Sequence, residues 1–535
     1  MCPAPPPPDP SGEIAALQAD LEDYRVDRLE ALLSPVARAA LDRDQLVPAL
    51  AELRRVADAG GADRRLALLT LLFALGEPLT TAELDEALPT VGHSGALEAN
   101  LVVPVEGTGR VRAAVDLSPV DLPEQVRWLA SDLHQRVNGR ALPPWHVLGV
   151  GGASLALASL LPEGEVSRVL DLGTGCGVQA LTLAGRARHI VATDISERAL
   201  AFAAFNDALN RGGPREDSVA TSVGSPTIEL RRGSLLEPVA GETFDLVVSN
   251  PPFVITPRAA YAAGLPVMTY RDAGTQATGD AVMRGLLTDL GAHLTPGGRA
   301  VIIGNWEVCD EDPYGALTRV LEEAERHGGV TLDSWVVRRD AQDPAEYAEM
   351  WLADGGADLD AEMSHQIYRA YLKDFAARGV REVAFGYILL TRSAHESRPS
   401  LHCADTYTHA RAPLGPTLWR LFDVRRMLSE RSDADVAGAC IRAEHDVTME
   451  HHFRIGESAP EAITLTQGGG LGLTIRAGTE LAGLISAADG SLTVEQIAGA
   501  LAALLDTDGE EMRAACIAHA RRLASDGFVT LECAR

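Results

Sequence analysis

Val169-Leu170-Asp171-Leu172-Gly173-Thr174-Gly175-Cys176-Gly177-Val178 is an apolar, strand-like run that passes directly into Gly-x-Gly-x-Gly. Helical spacing resumes at once and carries on to Ala184. Glycines at 173, 175 and 177 permit positive φ and carry no Cβ, so a ligand can lie against bare backbone. A strand, a glycine turn and a helix in this order predict an α/β fold with a parallel sheet. In dinucleotide-binding loops the third glycine falls three positions after the second. Here it falls two after, and a carboxylate, Asp171, precedes the loop.

A loop with no phosphate to hold, and a carboxylate aimed at an ammonium, suits S-adenosyl-L-methionine (SAM) better than a dinucleotide. The following strand ends in Ala192-Thr193-Asp194-Ile195. A carboxylate about 20 residues past the glycines is placed to accept both hydroxyls of a ribose, and Ile195 to pack on an adenine face. Asp171, Gly173, Thr174, Gly175, Gly177, Asp194 and Ile195 are therefore the candidate cofactor-binding residues.

A fourth strand, Phe244-Asp245-Leu246-Val247-Val248-Ser249, ends in Asn250-Pro251-Pro252-Phe253. Ligands of open α/β sheets lie beyond the carboxyl ends of the strands, so this tetrapeptide is expected to face the cofactor's methyl group. Consecutive prolines stiffen the chain and remove two N–H donors. The Asn250 side-chain oxygen and the Pro251 carbonyl can then accept hydrogen bonds from an NH₂ group. The lone pair of an amide or aryl amine is delocalised, which makes that nitrogen a poor nucleophile. Two acceptors that draw its hydrogens out of plane favour a tetrahedral nitrogen, with Phe253 stacked on the planar group. Such catalysis consists of positioning and preorganised acceptors, without an obligatory general base. Asn250, Pro251, Pro252 and Phe253 are the candidate chemical residues, and Asn250 also adjoins the cofactor.

The bulk numbers limit the setting. A chain of 535 residues predicts two to four domains. Its 46% hydrophobic and 23% charged residues are those of an ordinary soluble protein. A net charge of −28, from 47 basic and 75 acidic residues, gives no general electrostatic footprint for nucleic acid. Seven scattered cysteines without a Cys-x-x-Cys pair predict a reduced, intracellular chain. The amino terminus lacks the pattern of a secretory signal, and no stretch approaches the roughly 20 apolar residues that span a bilayer. Cytoplasmic location and no membrane partner are expected.

Four segments are expected along the chain: a Pro-rich disordered arm (1–12), a helical, winged-helix-like domain (13–135), the α/β domain (136–395) and a C-terminal accessory domain (396–535). In the second, helical spacing over Glu13–Val56 and Arg65–Leu75 precedes a helix capped by Thr80 or Thr81. Two short strands, near 101–104 and 111–115, follow. In the third, β-branched runs at Arg168–Leu172, His189–Thr193, Ile228–Arg231, Leu246–Ser249, Arg299–Gly304, Thr331–Val337 and Glu382–Leu390 predict a doubly wound, seven-stranded Rossmann-like sheet. The fourth ends in a second winged-helix-like pattern, with Ser491 or Thr493 as a helix cap and Gly527 before a terminal strand. That pattern is also similar to small peptide-binding domains found beside peptide-modifying enzymes.

At Asp171–Gly177 and Asn250–Phe253 the chain resembles the class I amino-methyltransferases with an Asn-Pro-Pro-(Tyr/Phe) motif. These include release-factor glutamine methyltransferases, small-domain rRNA guanine methyltransferases and adenine-N6 enzymes. The longer Asn250-Pro251-Pro252-Phe253-Val254-Ile255-Thr256-Pro257 looks closest to the glutamine branch, as does Tyr270–Gly279 with Gly285-Leu286-Leu287. The layout with two flanking domains also resembles a group of multidomain actinobacterial methyltransferases. The resemblance covers about residues 147–392 and implies a methyltransferase fold, SAM as cofactor and a planar nitrogen as target. It places Ser234 and Leu235 at the adenine, with Ser234 where the family usually has an Asp. Phe253 replaces the Tyr commoner in the glutamine branch. Gly149–Ser154 falls where the family has a segment facing substrate or cofactor; it reads equally as a lid over SAM or as a helix start capped by Ser154.

The leading expectation is N-methylation of a side-chain amide in a protein or peptide. The exocyclic amine of an RNA base is the alternative, and a catalytically silent SAM-binding scaffold is a third. Oligomeric state is left open. No metal is expected, because His445, His451 and His452 match no zinc spacing and read as a solvated, irregular stretch. Arg420, Arg425, Arg426 and Arg431 read as a charged helix face, and Gly468-Gly469-Gly470 as a flexible loop.

Overall fold

A computed structural model of the chain describes residues 6–9, 12–122, 128–138, 142–143, 145–211, 227–252, 254–262, 279–355, 360–394, 398–407 and 414–533. Two compact units divide it: Met1–Ala158, Gly164–Leu332 and Asp340–Arg398 form the first, and Ser159–Glu163, Asp333–Arg339 and Pro399–Arg535 the second.

The first unit is built on strands β1 (Val166–Leu172), β2 (Ala187–Asp194), β3 (Thr227–Arg232), β4 (Phe244–Ser249), β5 (Leu294–Val308) and β7 (Glu382–Arg392); the middle of β6 (Leu332–Gln342), Asp333–Arg339, belongs to the second unit. Their order is 3-2-1-4-5-7. The pairs β1–β2, β2–β3, β1–β4 and β4–β5 are parallel, whereas β5–β7 is antiparallel. All seven expected runs form strands, joined by helices α1 (Val178–Leu183), α2 (Glu197–Asn210), α3 (Ala281–Leu290) and α4 (Gly315–Gly328). Two more helices, α5 (Pro344–Gly355) and α6 (Ala361–Arg378), lie between β6 and β7. Nearly continuous Val/Ile/Leu runs such as Leu246–Val248 and Val301–Ile303 are buried, as parallel strands covered on both faces require.

The amino-terminal segment of this unit has helices Ile14–Leu21, Val26–Leu32, Pro35–Leu41, Val47–Ala59 and Arg64–Leu69, the last running on into a π-helical turn at Thr70–Ala74. Thr80, rather than Thr81, caps the helix Thr81–Ala87: its hydroxyl accepts the Glu83 N–H while the Glu83 carboxylate accepts the Thr80 N–H at 2.8 Å. Strands Val102–Val105 and Arg110–Ala113 pair antiparallel. Within the arm expected to be disordered, the Asp9 N–H donates to the Ala99 carbonyl and the Asn100 amide to the Pro7 carbonyl, so these residues are seated on the chain.

One apolar core joins this segment to α2 and the glycine loop: Leu17, Tyr24, Phe73 and Trp128 cluster with Cys176, Phe202, Phe205 and Leu209. Asn206 of α2, fully buried, ties the same parts by hydrogen bonds. Its Oδ1 accepts the Ala130 N–H at 2.7 Å, and its Nδ2 donates to the Ala130 and Cys176 carbonyls at 2.8 Å. A second tie is an ion pair between Asp132 and Arg198, both nearly excluded from water, with the Arg198 guanidinium over the rings of Trp145 and Phe202.

In the second unit, Ser334–Arg338 of β6 pairs in parallel with β8 (His402–Thr406), a strand beyond the seven expected. The added strand lies at the start of the segment expected to be the C-terminal accessory domain, 396–535. Arg425 stacks on Trp335 (4.2 Å to the ring centroid) and pairs with Asp405, and Arg426 pairs with Asp333 at 2.6 Å. These two arginines thus serve internal ion pairs instead of an exposed helix face. Thr493, with Gln496 in a reciprocal cap, starts the helix Val494–Leu505, and Gly527 (φ +80°) follows the helix Gly509–Ser525. His451 and His452 lie on a regular strand, Val447–His452, paired with Ala462–Gln467. They are exposed as expected, but the segment is one strand of a β-hairpin whose partner alternates as Ile463-Thr464-Leu465-Thr466. Gly468 and Gly469 donate to the Asp446 carbonyl and carboxylate at 2.9 Å, which holds the turn read as flexible. Among the described residues no cluster fits a metal ion, and no helix is long and apolar enough to cross a membrane.

Replacing Asn206 with Ala strands three buried backbone groups, each costing about 1 kcal/mol or more. The Asn206→Ala chain is expected to lose about 3 kcal/mol in urea denaturation, and a loss below 1 kcal/mol would show that the carboxamide is dispensable.

Candidate active site

Register puts three loop starts in one row. Leu172 pairs with Thr193 on β2 and with Ser249 on β4, so Gly173, Asp194 and Asn250 leave the sheet side by side at its carboxyl edge. The Ser249 hydroxyl donates to the Leu172 carbonyl at 2.9 Å and pins β1 to β4 at that level. The Thr193 carbonyl accepts the N–H groups of Gly173 and Thr174 at 2.9 and 2.8 Å. Ser249 and Thr193 escaped the sequence reading, although each immediately precedes a residue that it singled out.

The cleft at this edge opens to solvent. Gly173, Asp194, Ile195, Leu235, Pro251 and Pro252, all expected at the site, line it together with Leu172, Thr193, Gly233 and Ser249. Among the described residues the lining holds one carboxylate and no cation, which suits a ligand with hydroxyls and an apolar ring better than a phosphate. Gly173 (φ +73°) and Gly175 (φ +55°) have open space where a Cβ would stand. Gly177 (φ +89°) differs: a Cβ there would lie 3.3 Å from Ala203, so this glycine serves the packing of the loop against α2. The residues present thus fit the sugar and base of SAM.

Asp194 accepts the Gly175 N–H at 3.0 Å and the Ser196 N–H at 2.8 Å, which sets its carboxylate at the cleft wall. Leu235 has φ +45°, a left-handed backbone that a branched side chain adopts only under constraint. The constraint is the turn around it. Gly233 donates to the Asp194 carbonyl at 3.1 Å and Glu237 to the Ser234 carbonyl at 3.0 Å, while Pro238 fills the space of a Cβ on Gly233. Leu235 lines the cleft; its neighbour Ser234 does not.

Asn250 stands at the same edge, and its Oδ1 is buried without a hydrogen-bond partner among the described residues. A buried acceptor left open in this way is costly. Phe253 and Tyr270–Gly274 lie outside the described residues.

Asp171 departs from the expectation that it points at the ligand. It is 1% exposed, and its Oδ2 accepts the Thr174 hydroxyl at 2.6 Å and the Ala180 N–H at 3.0 Å. The carboxylate therefore holds the glycine loop from beneath. Burial raises its pKa to about 6, against the lowering effect of those two bonds, and nearby negative Asp194 adds to the rise. With the folded value above the unfolded one, this group's contribution to stability is whole below about pH 4 and is lost as pH rises through about 6. The stability of the chain relative to Asp171→Asn should fall by about 2–3 kcal/mol between pH 4 and pH 7 in urea denaturation, at about 1.4 kcal/mol per pKa unit. A constant difference would contradict this protonation.

A family model described as the methyltransferase small domain matches residues 149–268, and one described as a domain of unknown function matches 22–114. Over 171 residues the chain is 34% identical to a release factor glutamine methyltransferase of Xylella fastidiosa, covering 30% of this chain and 53% of that protein. Over 162 residues it is 30% identical to the tRNA1(Val) (adenine(37)-N6)-methyltransferase of Aeromonas salmonicida, covering 30% and 61%. Over 256 residues it is 30% identical to the ribosomal protein uL3 glutamine methyltransferase of Bradyrhizobium diazoefficiens, covering 43% and 75%. The chain thus spans little more than half the length of the first two relatives and three quarters of the third. With SAM as its cofactor, the chain belongs to the small-domain class I methyltransferases.

Proposed function

We propose that this chain methylates a planar nitrogen, the side-chain amide of a protein or peptide. One observation carries the reading: the buried Asn250 Oδ1, without a hydrogen-bond partner among the described residues, beside two prolines at the edge where the glycine loop and Asp194 also emerge. SAM supplies a methyl carbon activated by its sulfonium. Gly173 and Gly175 offer bare backbone to it, Asp194 takes its ribose hydroxyls, and Ile195 and Leu235 flank its adenine. On the substrate side, Asn250 Oδ1 and the Pro251 carbonyl each accept one hydrogen of an NH₂ group. That pair turns the nitrogen lone pair out of conjugation. The nitrogen's proton then passes to solvent, and no side chain is required as a base.

Two of the three relatives described above are named for glutamine, which favours an amide over a base amine. The acidic balance of the chain, −28, points the same way. We read the capped-helix and strand units at 13–135 and 396–535 as winged-helix-like accessory domains that select the substrate in the cytoplasm, around the methyltransferase domain at 136–395.

Labelled methyl from SAM, offered to an extract of a strain lacking this chain, should enter the protein fraction; label confined to RNA would refute the amide. Asn250→Ala should lower transfer at least a hundredfold while SAM affinity by calorimetry stays within twofold. Transfer within twofold of the parent chain would remove Asn250 from the chemistry.

A further inference from the structure

The helices α5 and α6 between β6 and β7 serve no purpose in the site described so far. Tyr347, in the first turn of α5, is fully buried. Its hydroxyl accepts the Ile255 N–H at 2.9 Å and the Asn305 side-chain N–H at 3.1 Å. Ile255 is itself buried and stands just beyond the Asn-Pro-Pro turn; Asn305 lies in the carboxyl half of β5. One phenol oxygen therefore joins the chain leaving the turn to the sheet.

The ring has no room to swing away. Phe375, Phe385, Trp351 and Tyr371 surround it with centroids 5.6, 6.0, 6.1 and 6.3 Å distant. Helix α6, which carries Tyr371 and Phe375, is fastened to the end of β5 by Arg378, whose guanidinium donates to Glu307 at 2.6 and 3.1 Å. The turn at Asn250 is thus held at both ends, by Ser249 on β4 and by Tyr347 at its exit. Two prolines make the turn a stiff lever, so the direction of the Asn250 carboxamide follows the anchoring of those ends.

We propose that Tyr347 is a positioning residue for methyl transfer: through Ile255 it aims the acceptor pair of Asn250 and Pro251 at the substrate nitrogen. This rests on the acceptor-pair reading above. Small misplacements of a reacting group cost large factors in rate, so losing the anchor should show in turnover and leave cofactor binding intact.

Tyr347→Phe keeps the ring and removes only the oxygen. The test is the initial rate of labelled methyl transfer from SAM into macromolecules of an extract from a strain lacking this chain, over a range of extract concentrations. For Tyr347→Phe the saturating rate is expected to fall at least tenfold, with the half-saturating concentration changed less than threefold. Calorimetric SAM affinity and stoichiometry should match the parent chain, which separates misaiming from loss of folded protein. Amide exchange of residues 254–256 should quicken at least tenfold while that of 169–180 stays unchanged. A saturating rate within twofold of the parent, where Asn250→Ala abolishes transfer, would overturn the proposal. Normal transfer by Asn250→Ala would instead overturn the acceptor pair, and the proposal with it.

Discussion

A loop that offers bare backbone to a ligand has no side chains with which to hold itself, so the hold must come from outside it. In this chain it comes from three directions. The Asp171 carboxylate binds Thr174 and Ala180 from beneath, the Thr193 carbonyl takes two N–H groups from β2, and the Asn206 amide reaches the Cys176 carbonyl from α2. Each replaces a bond that water would otherwise make. The loop is consequently rigid where it is anchored and empty where a ligand can enter.

The same logic orders the chemical side. Asn250 and its prolines are stiff and poor in donors, and what sets their direction is the register of β4 against β1 and the tether beyond the turn. The glycine loop and the Asn-Pro-Pro turn start from register partners on neighbouring strands, so their spacing follows from the sheet itself.

Some of this was legible in the residues alone. Gly173, Asp194, Pro251 and Pro252 could be picked out because ligand chemistry dictates their type at their spacing, and strand-to-helix alternation gave the sheet. Other features had no local signal. Asp171 was assigned to the ligand because its type fits an ammonium, yet burial turned it inward. Gly177 was counted among ligand glycines, whereas its need is the approach of Ala203. Asn206 and Tyr347 act across 76 and 92 residues of sequence, beyond the reach of any periodicity. The eighth strand, β8, is short and carries polar residues, so neither alternation nor an apolar run announced it.

The central claim is that the methyl group is delivered to an amide nitrogen. The most direct measurement takes protein labelled with methyl-tritiated SAM, hydrolyses it in strong acid and collects the volatile bases. The label is expected to distil as methylamine, since hydrolysis of an N-methyl amide releases that base. Label retained on a carbon, sulfur or ring nitrogen of an amino acid, or released as methanol from an ester, would contradict it.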